Sequence, residues 1–100
     1  MSTQANIYID EREFSVSHDG DPESLVPWIR EITKIAKEKS EKNPDMGFRG
    51  MLVWGFLNEE GIYQGGYGSP EWEYTINEDG RIMSKYCEDD WKEETVDKVE

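Results

Sequence analysis

The longest apolar stretch of the chain runs from Phe48 to Leu57. As a strand it sets Phe48, Leu52, Trp54 and Phe56 on one face and Met51, Val53 and Leu57 on the other. Apolar residues on both faces predict a central strand, paired on each edge and covered above and below. Gly50 and Gly55 interrupt it, which suits a bulge or the close approach of a neighbouring backbone or ring. The face carrying Met51, Val53 and Leu57 then needs its own cover, either a terminal helix docking through Trp91 or a second copy of the chain.

Before this stretch, Ile7 and Ile9 alternate with Asn6, Tyr8 and Asp10, and Phe14 and Val16 alternate with Glu13, Ser15 and Ser17. Two half-buried strands joined at Asp10-Glu11-Arg12 form a hairpin. His18-Asp19-Gly20-Asp21-Pro22 breaks the pattern with strong turn chemistry. A helix follows from Ser24 to Lys42, with Leu25, Trp28, Ile29, Ile32, Ile35 and Ala36 in one stripe. Trp28, Ile32 and Ile35 are its expected buried positions. Ser24 serves as N-cap, Pro27 falls in the first turn, and Asn43-Pro44 ends the helix. Its polar face, including Arg30, Lys34 and Lys37, reads as a solvated surface.

Beyond Leu57, Asn58-Glu59-Glu60-Gly61 turns the chain into a short strand, Ile62-Tyr63-Gln64, and a run of Gly65-Gly66-Tyr67-Gly68-Ser69-Pro70. Glu71 to Ile76 alternates again, with Trp72, Tyr74 and Ile76 on one side. Asn77-Glu78-Asp79-Gly80 supplies a glycine suited to a hairpin turn, and Arg81 to Cys87 returns. Glu88-Asp89-Asp90 opens a short terminal helix, because Asp90 and Glu93 have capping-box spacing and Trp91, Thr95 and Val99 share a face. The element order is β-β-α-β-β-β-β-α. The fold class is therefore α+β: an antiparallel sheet of about five to six strands, one long helix on one face, and a short C-terminal helix. Residues 1–100 form a single domain, with 1–4 and 97–100 loose at its ends.

Composition changes this picture through charge. Twenty-three Asp and Glu against 11 Lys and Arg give a net charge of −12 on 100 residues. That argues against direct nucleic-acid binding, which draws on Lys and Arg replacing condensed counterions, and against anionic membrane surfaces. It favours a basic partner. Between Trp28 and Arg49, Arg30, Lys34, Lys37, Lys39, Lys42 and Arg49 outnumber Glu31, Glu38, Glu41 and Asp45, so the remaining chain is the acidic part. Cys87 is the only cysteine, which leaves no intramolecular disulfide and no structural zinc cluster. Residues 1–20 lack an apolar leader and no run reaches membrane-spanning length, so a cytoplasmic location is expected.

Catalytic equipment is sparse. Asp19, Asp21 and Glu23 beside His18 resemble a metal loop, but the calcium pattern's required Gly and Glu positions hold Ser24 and Arg30. Cys87 and His18 have no local activating partner, and acids after Cys87 disfavour a thiolate. The glycine run is not a phosphate loop, since no GK[ST] follows and a strand comes next. No cofactor and no metal site is expected. Three functions stay open. The first is a small acidic interaction protein of inhibitor, immunity or anti-defence type, binding a basic protein surface through Glu71, Glu73, Glu88, Asp89, Asp90 and Glu93, where its carboxylates stand in for nucleic-acid phosphates. The second is a small-ligand binding domain using Tyr63 and Tyr67 in the Gly/Tyr-rich loop 61–70. The third is an enzyme with an unrecognised site.

Overall fold

The computed structural model describes residues 3–94. Its elements are β1 (Ala5–Ile9), β2 (Arg12–Val16), α1 (Pro22–Lys42), α2 (Gly47–Leu57), β3 (Tyr63–Gln64), β4 (Trp72–Ile76), β5 (Ile82–Tyr86) and β6 (Lys92–Glu94). The six strands form one sheet in the order β3-β2-β1-β4-β5-β6. Both helices lie on one face of it and pack against each other. The fold is α+β as expected, but the sheet is mixed. β1 runs antiparallel to β2 and parallel to β4, with Ala5 opposite Trp72 and Ile7 opposite Tyr74.

The two expected hairpins form. β1 and β2 pair with Ile7 opposite Phe14, and β4 and β5 pair with Tyr74 opposite Ser84. Alternation then sends Ala5, Ile7, Ile9, Phe14, Val16, Tyr74, Ile76 and Ile82 into the core beneath the helices.

The stretch Phe48–Leu57, expected as the central strand, is helix α2. Leu52 and Phe56, one turn apart, are fully buried, and Phe48 and Met51 pack beside them. Phe56 stacks on Phe14 with ring centroids 5.4 Å apart. Gly55 lets α1 come close: a Cβ there would lie 3.1 Å from Ile32 Cγ2. Arg49, the only charged residue of α2, clamps the helix to the sheet. Its guanidinium donates to the carbonyls of Ile76 and Asn77, both at 2.8 Å, and pairs with Asp10 at 3.0 Å.

α1 is the expected long helix, begun two residues earlier. Asp21 is the N-cap in place of Ser24: its carboxylate accepts from the Ser24 N–H at 3.3 Å, and Pro22 opens the first turn. Pro27 therefore lies past the first turn, inside the helix, on an exposed side. The buried stripe is Leu25, Val26, Ile29, Ile32, Thr33 and Ala36. Of the expected core positions Ile32 is buried, Trp28 is half-buried, and Ile35 is 41% exposed. The buried Thr33 hydroxyl is satisfied by donating to the Ile29 carbonyl at 2.8 Å.

The short C-terminal helix expected from Glu88 does not begin there. The Asp89 N–H closes a turn on the Tyr86 carbonyl at 2.8 Å, and Lys92–Glu94 then forms β6, antiparallel to β5. The capping-box signal of Asp90 and Glu93 yields to the free edge that β5 offers. Thr95, Val96 and Val99 lie outside the described residues, as does the expectation for 97–100. At the other end Thr3 and Gln4 are anchored, the Thr3 carbonyl accepting from Gly20 N–H and the Gln4 carbonyl from Glu71 and Trp72 N–H. Among the described residues no helix is long and apolar enough to cross a membrane.

Candidate functional site

Strand register places the residues of the sheet's other face in two rows. One row runs Tyr63, Ser15, Asn6, Glu73, Lys85 from β3 to β5. The next runs Glu13, Tyr8, Thr75, Met83, Glu93 from β2 to β6. Neither helix among the described residues covers this face. Its chemistry is mostly tyrosine, carboxylate and amide, with one ammonium.

A polar network ties the rows together. Tyr8 Oη donates to Glu73 Oε2 at 2.8 Å and accepts from Asn6 Nδ2 at 3.1 Å. Lys85 Nζ lies 3.6 Å from Glu73 Oε1 across the β4–β5 ladder. Partial burial raises the Tyr8 pKa first, and the nearby Glu73 and Glu13 charges add to that against the opposing Asn6 bond. The phenol thus stays neutral and donates. Lys85 also sits 5.9 Å from the centre of the Trp91 ring, which is exposed.

The glycine run joins two strands that are not neighbours in the sheet. β3 and β4 sit on opposite sides of the β1–β2 pair, so residues 65–71 cross over the open face between them. Asn6 holds this crossing. Its side chain donates to the Tyr67 carbonyl and accepts from the Tyr67 N–H, both at 2.8 Å, which leaves Asn6 2% exposed. Gly66 is needed for so close an approach: a Cβ there would stand 2.7 Å from Glu13 Oε1 and 2.9 Å from Asn6 Nδ2.

The structure therefore brings together residues that the sequence assigns to two separate candidate sites. Tyr63 and Glu73 share a row, Tyr67 lies over it, and Glu71 enters β4 at its end. The Cys87 N–H donates to the Glu71 carbonyl, so the turn carrying Glu88, Asp89 and Asp90 stands at that same end. Glu93 closes the second row and faces Arg81 at 3.5 Å. Glu73, held by Tyr8 and Lys85, is not a free carboxylate. Asn6, Tyr8, Glu13, Met83 and Lys85 are additions. Their signal is the polar phase of the alternating strands; the β4–β5 hairpin sets Lys85 and Met83 beside Glu73, but only the β1–β4 pairing brings Asn6, Tyr8 and Glu13 there.

The hollow beside the glycine run, about 310 Å³, is lined by Glu11, Arg12, Glu13, Phe14, Gln64 and Gly65, without either tyrosine. Among the described residues no cluster of three His, Cys, Asp or Glu is arranged to hold a metal. His18 and Cys87 are both exposed, in separate turns. Tyrosines and carboxylates spread across a sheet face suit contact with a macromolecular surface, by stacking and charge-assisted hydrogen bonds to cations. Comparison with protein-family models, curated proteins and solved structures finds no match for this chain.

Proposed function

We propose that the chain is an interaction protein that binds a basic surface of a larger protein through the open face of its sheet. The observation that carries this reading is the placement of Tyr63, Tyr67, Glu13, Glu71 and the Glu88–Asp90 turn around one sheet face that neither α1 nor α2 covers. Tyr63 is 57% exposed and brings rigid contact area at low entropic cost. The surrounding acids belong to a chain of net charge −12 and steer a cationic partner toward it. In such a contact, Arg or Lys of the partner stacks on Tyr63 and pairs with Glu13 and Glu71. Glu73 holds Tyr8 and Lys85 in place and contributes shape rather than attraction. The inhibitor, immunity or anti-defence role belongs to this reading, since blocking a basic functional surface requires no catalytic residue.

The test uses the partner retained at low salt on the immobilised chain from its native host. Charge reversal at Glu13, Glu71, Asp89 and Asp90 should slow association about 10–100-fold at low salt while the circular dichroism stays unchanged. Tyr63→Ala should mainly speed dissociation. Unchanged kinetics in both folded variants would refute the sheet-face reading.

A further inference from the structure

The helical layer, on the opposite side of the sheet, carries an apolar surface that the sheet-face reading does not use. Four of the seven large apolar side chains exposed among the described residues belong to it: Ile35, Met46, Trp54 and Leu57. Met46, Gly50, Val53, Trp54 and Leu57 follow helical spacing along the outer side of α2, whose inner side is the buried Leu52 and Phe56. A helix apolar on all sides is ordinarily covered on all sides. A cleft of about 180 Å³ between α1 and α2, lined in part by Ile35, Met51 and Trp54, extends the patch. A hollow of about 380 Å³ lies on its other flank, beside Met46, Gly50 and Leu57.

We propose that this face is the contact between two copies of the chain, with α2 packed antiparallel on α2 of the mate about a two-fold axis. Self-complementarity is the first reason. A two-fold contact must set residue i on j and j on i. An axis midway between Gly50 and Trp54 sets Trp54 against the mate's Gly50 and Met46 against the mate's Leu57. Gly50 provides a notch for the indole, because a Cβ there would meet only Met46 Cε, at 3.8 Å. Charge is the second reason. The helical face carries both signs, with Lys39 and Lys42 beside Glu41 and Asp45 ahead of α2 and Glu59 and Glu60 after it, so a mate meets a mixed surface and not a uniformly acidic one. Lys39 already lies 4.7 Å from the centre of the Trp54 ring. The segment from Trp28 to Arg49 is also the part of the chain where cations outnumber acids. Two copies therefore meet here without the acid-on-acid repulsion that sheet faces would impose.

Sedimentation velocity over roughly 1 µM to 1 mM tests this. The wild-type chain should form a dimer that dissociates on dilution. Trp54→Glu, which charges the central side chain, and Gly50→Gln, which fills the notch, should each raise the dissociation constant at least about tenfold with unchanged circular dichroism. Tyr63→Ala, on the opposite face, should leave it unchanged. A wild-type chain that stays monomeric throughout overturns the proposal, as does a dimer that Tyr63→Ala breaks and Gly50→Gln spares. Gly50→Gln decides the matter even if Trp54→Glu fails to fold.

Discussion

A single amide side chain, Asn6, organises the open face by giving the Tyr67 backbone the donor and acceptor that a neighbouring strand would supply. Tyr74 plays the corresponding part inside. It is fully buried, and its hydroxyl donates to the Gly20 carbonyl at 2.6 Å, tying β4 to the turn before α1. Burial, with the Glu94 and Asp21 charges adding to it, pushes its pKa far above the ordinary value of 10.0. Above that value the unfolded chain releases this proton while the folded chain keeps it. Stability is therefore fully present below about pH 10 and is lost as pH rises beyond it, by up to about 1.4 kcal/mol per pH unit for this group. Denaturant titrations at rising alkaline pH should show that slope. Tyr74→Phe should flatten it, at a cost of about 1 kcal/mol at neutral pH. An equal slope in the variant would disprove the assignment. The sequence shows Tyr74 as an inward position, yet neither its partner nor that of Asn6 is legible, because those partners lie 54 and 61 residues away.

At the scale of elements, periodicity served the amphipathic pieces and failed the uniformly apolar one. α1, both hairpins and the polar phase of each strand can be read from spacing alone. α2 cannot, because a run apolar on all sides carries no periodicity, its aromatics and Val53 lean toward strand, and Gly50 and Gly55 weaken a helix. Tertiary context overrides that lean, since α1 and the sheet between them leave a helix-wide trough. The phase of α1 was legible only to within part of a turn, which is why Ile35 was expected inside. Ile32→Ala should cost about 2–5 kcal/mol, whereas Ile35→Ala should cost less than about 1 kcal/mol in the monomer. Chemical denaturation of the two variants at low protein concentration measures the difference, and equal losses would mean that the helix sits in another phase. The β6 edge was misread for a related reason: local capping chemistry speaks for a helix, and only the position of β5 speaks against it.

The whole molecule is polarised, with a mildly basic, partly apolar helical side and an acidic sheet side. Four ion pairs among the described residues involve exposed or half-exposed groups, each worth about 0–1 kcal/mol, and they do not offset the repulsion within a chain of charge −12. Screening should therefore stabilise the fold. The melting temperature should rise by a few degrees between low and moderate sodium chloride, by about 1 kcal/mol of relieved repulsion. A fall on adding salt would show that the local pairs dominate. The parallel seam between β1 and β4 has a separate consequence, which concerns the order in which the chain is made. β1 finds β2 across a two-residue turn, but its other edge is completed only by β4, which is made after α1, α2 and β3. Until β4 is made the nascent hairpin presents an open row of backbone donors and acceptors, with α1 and α2 able to shelter its apolar side but not its edge. Closure of the sheet thus waits for β4, and the risk of mispairing between neighbouring nascent chains is concentrated in the interval before it.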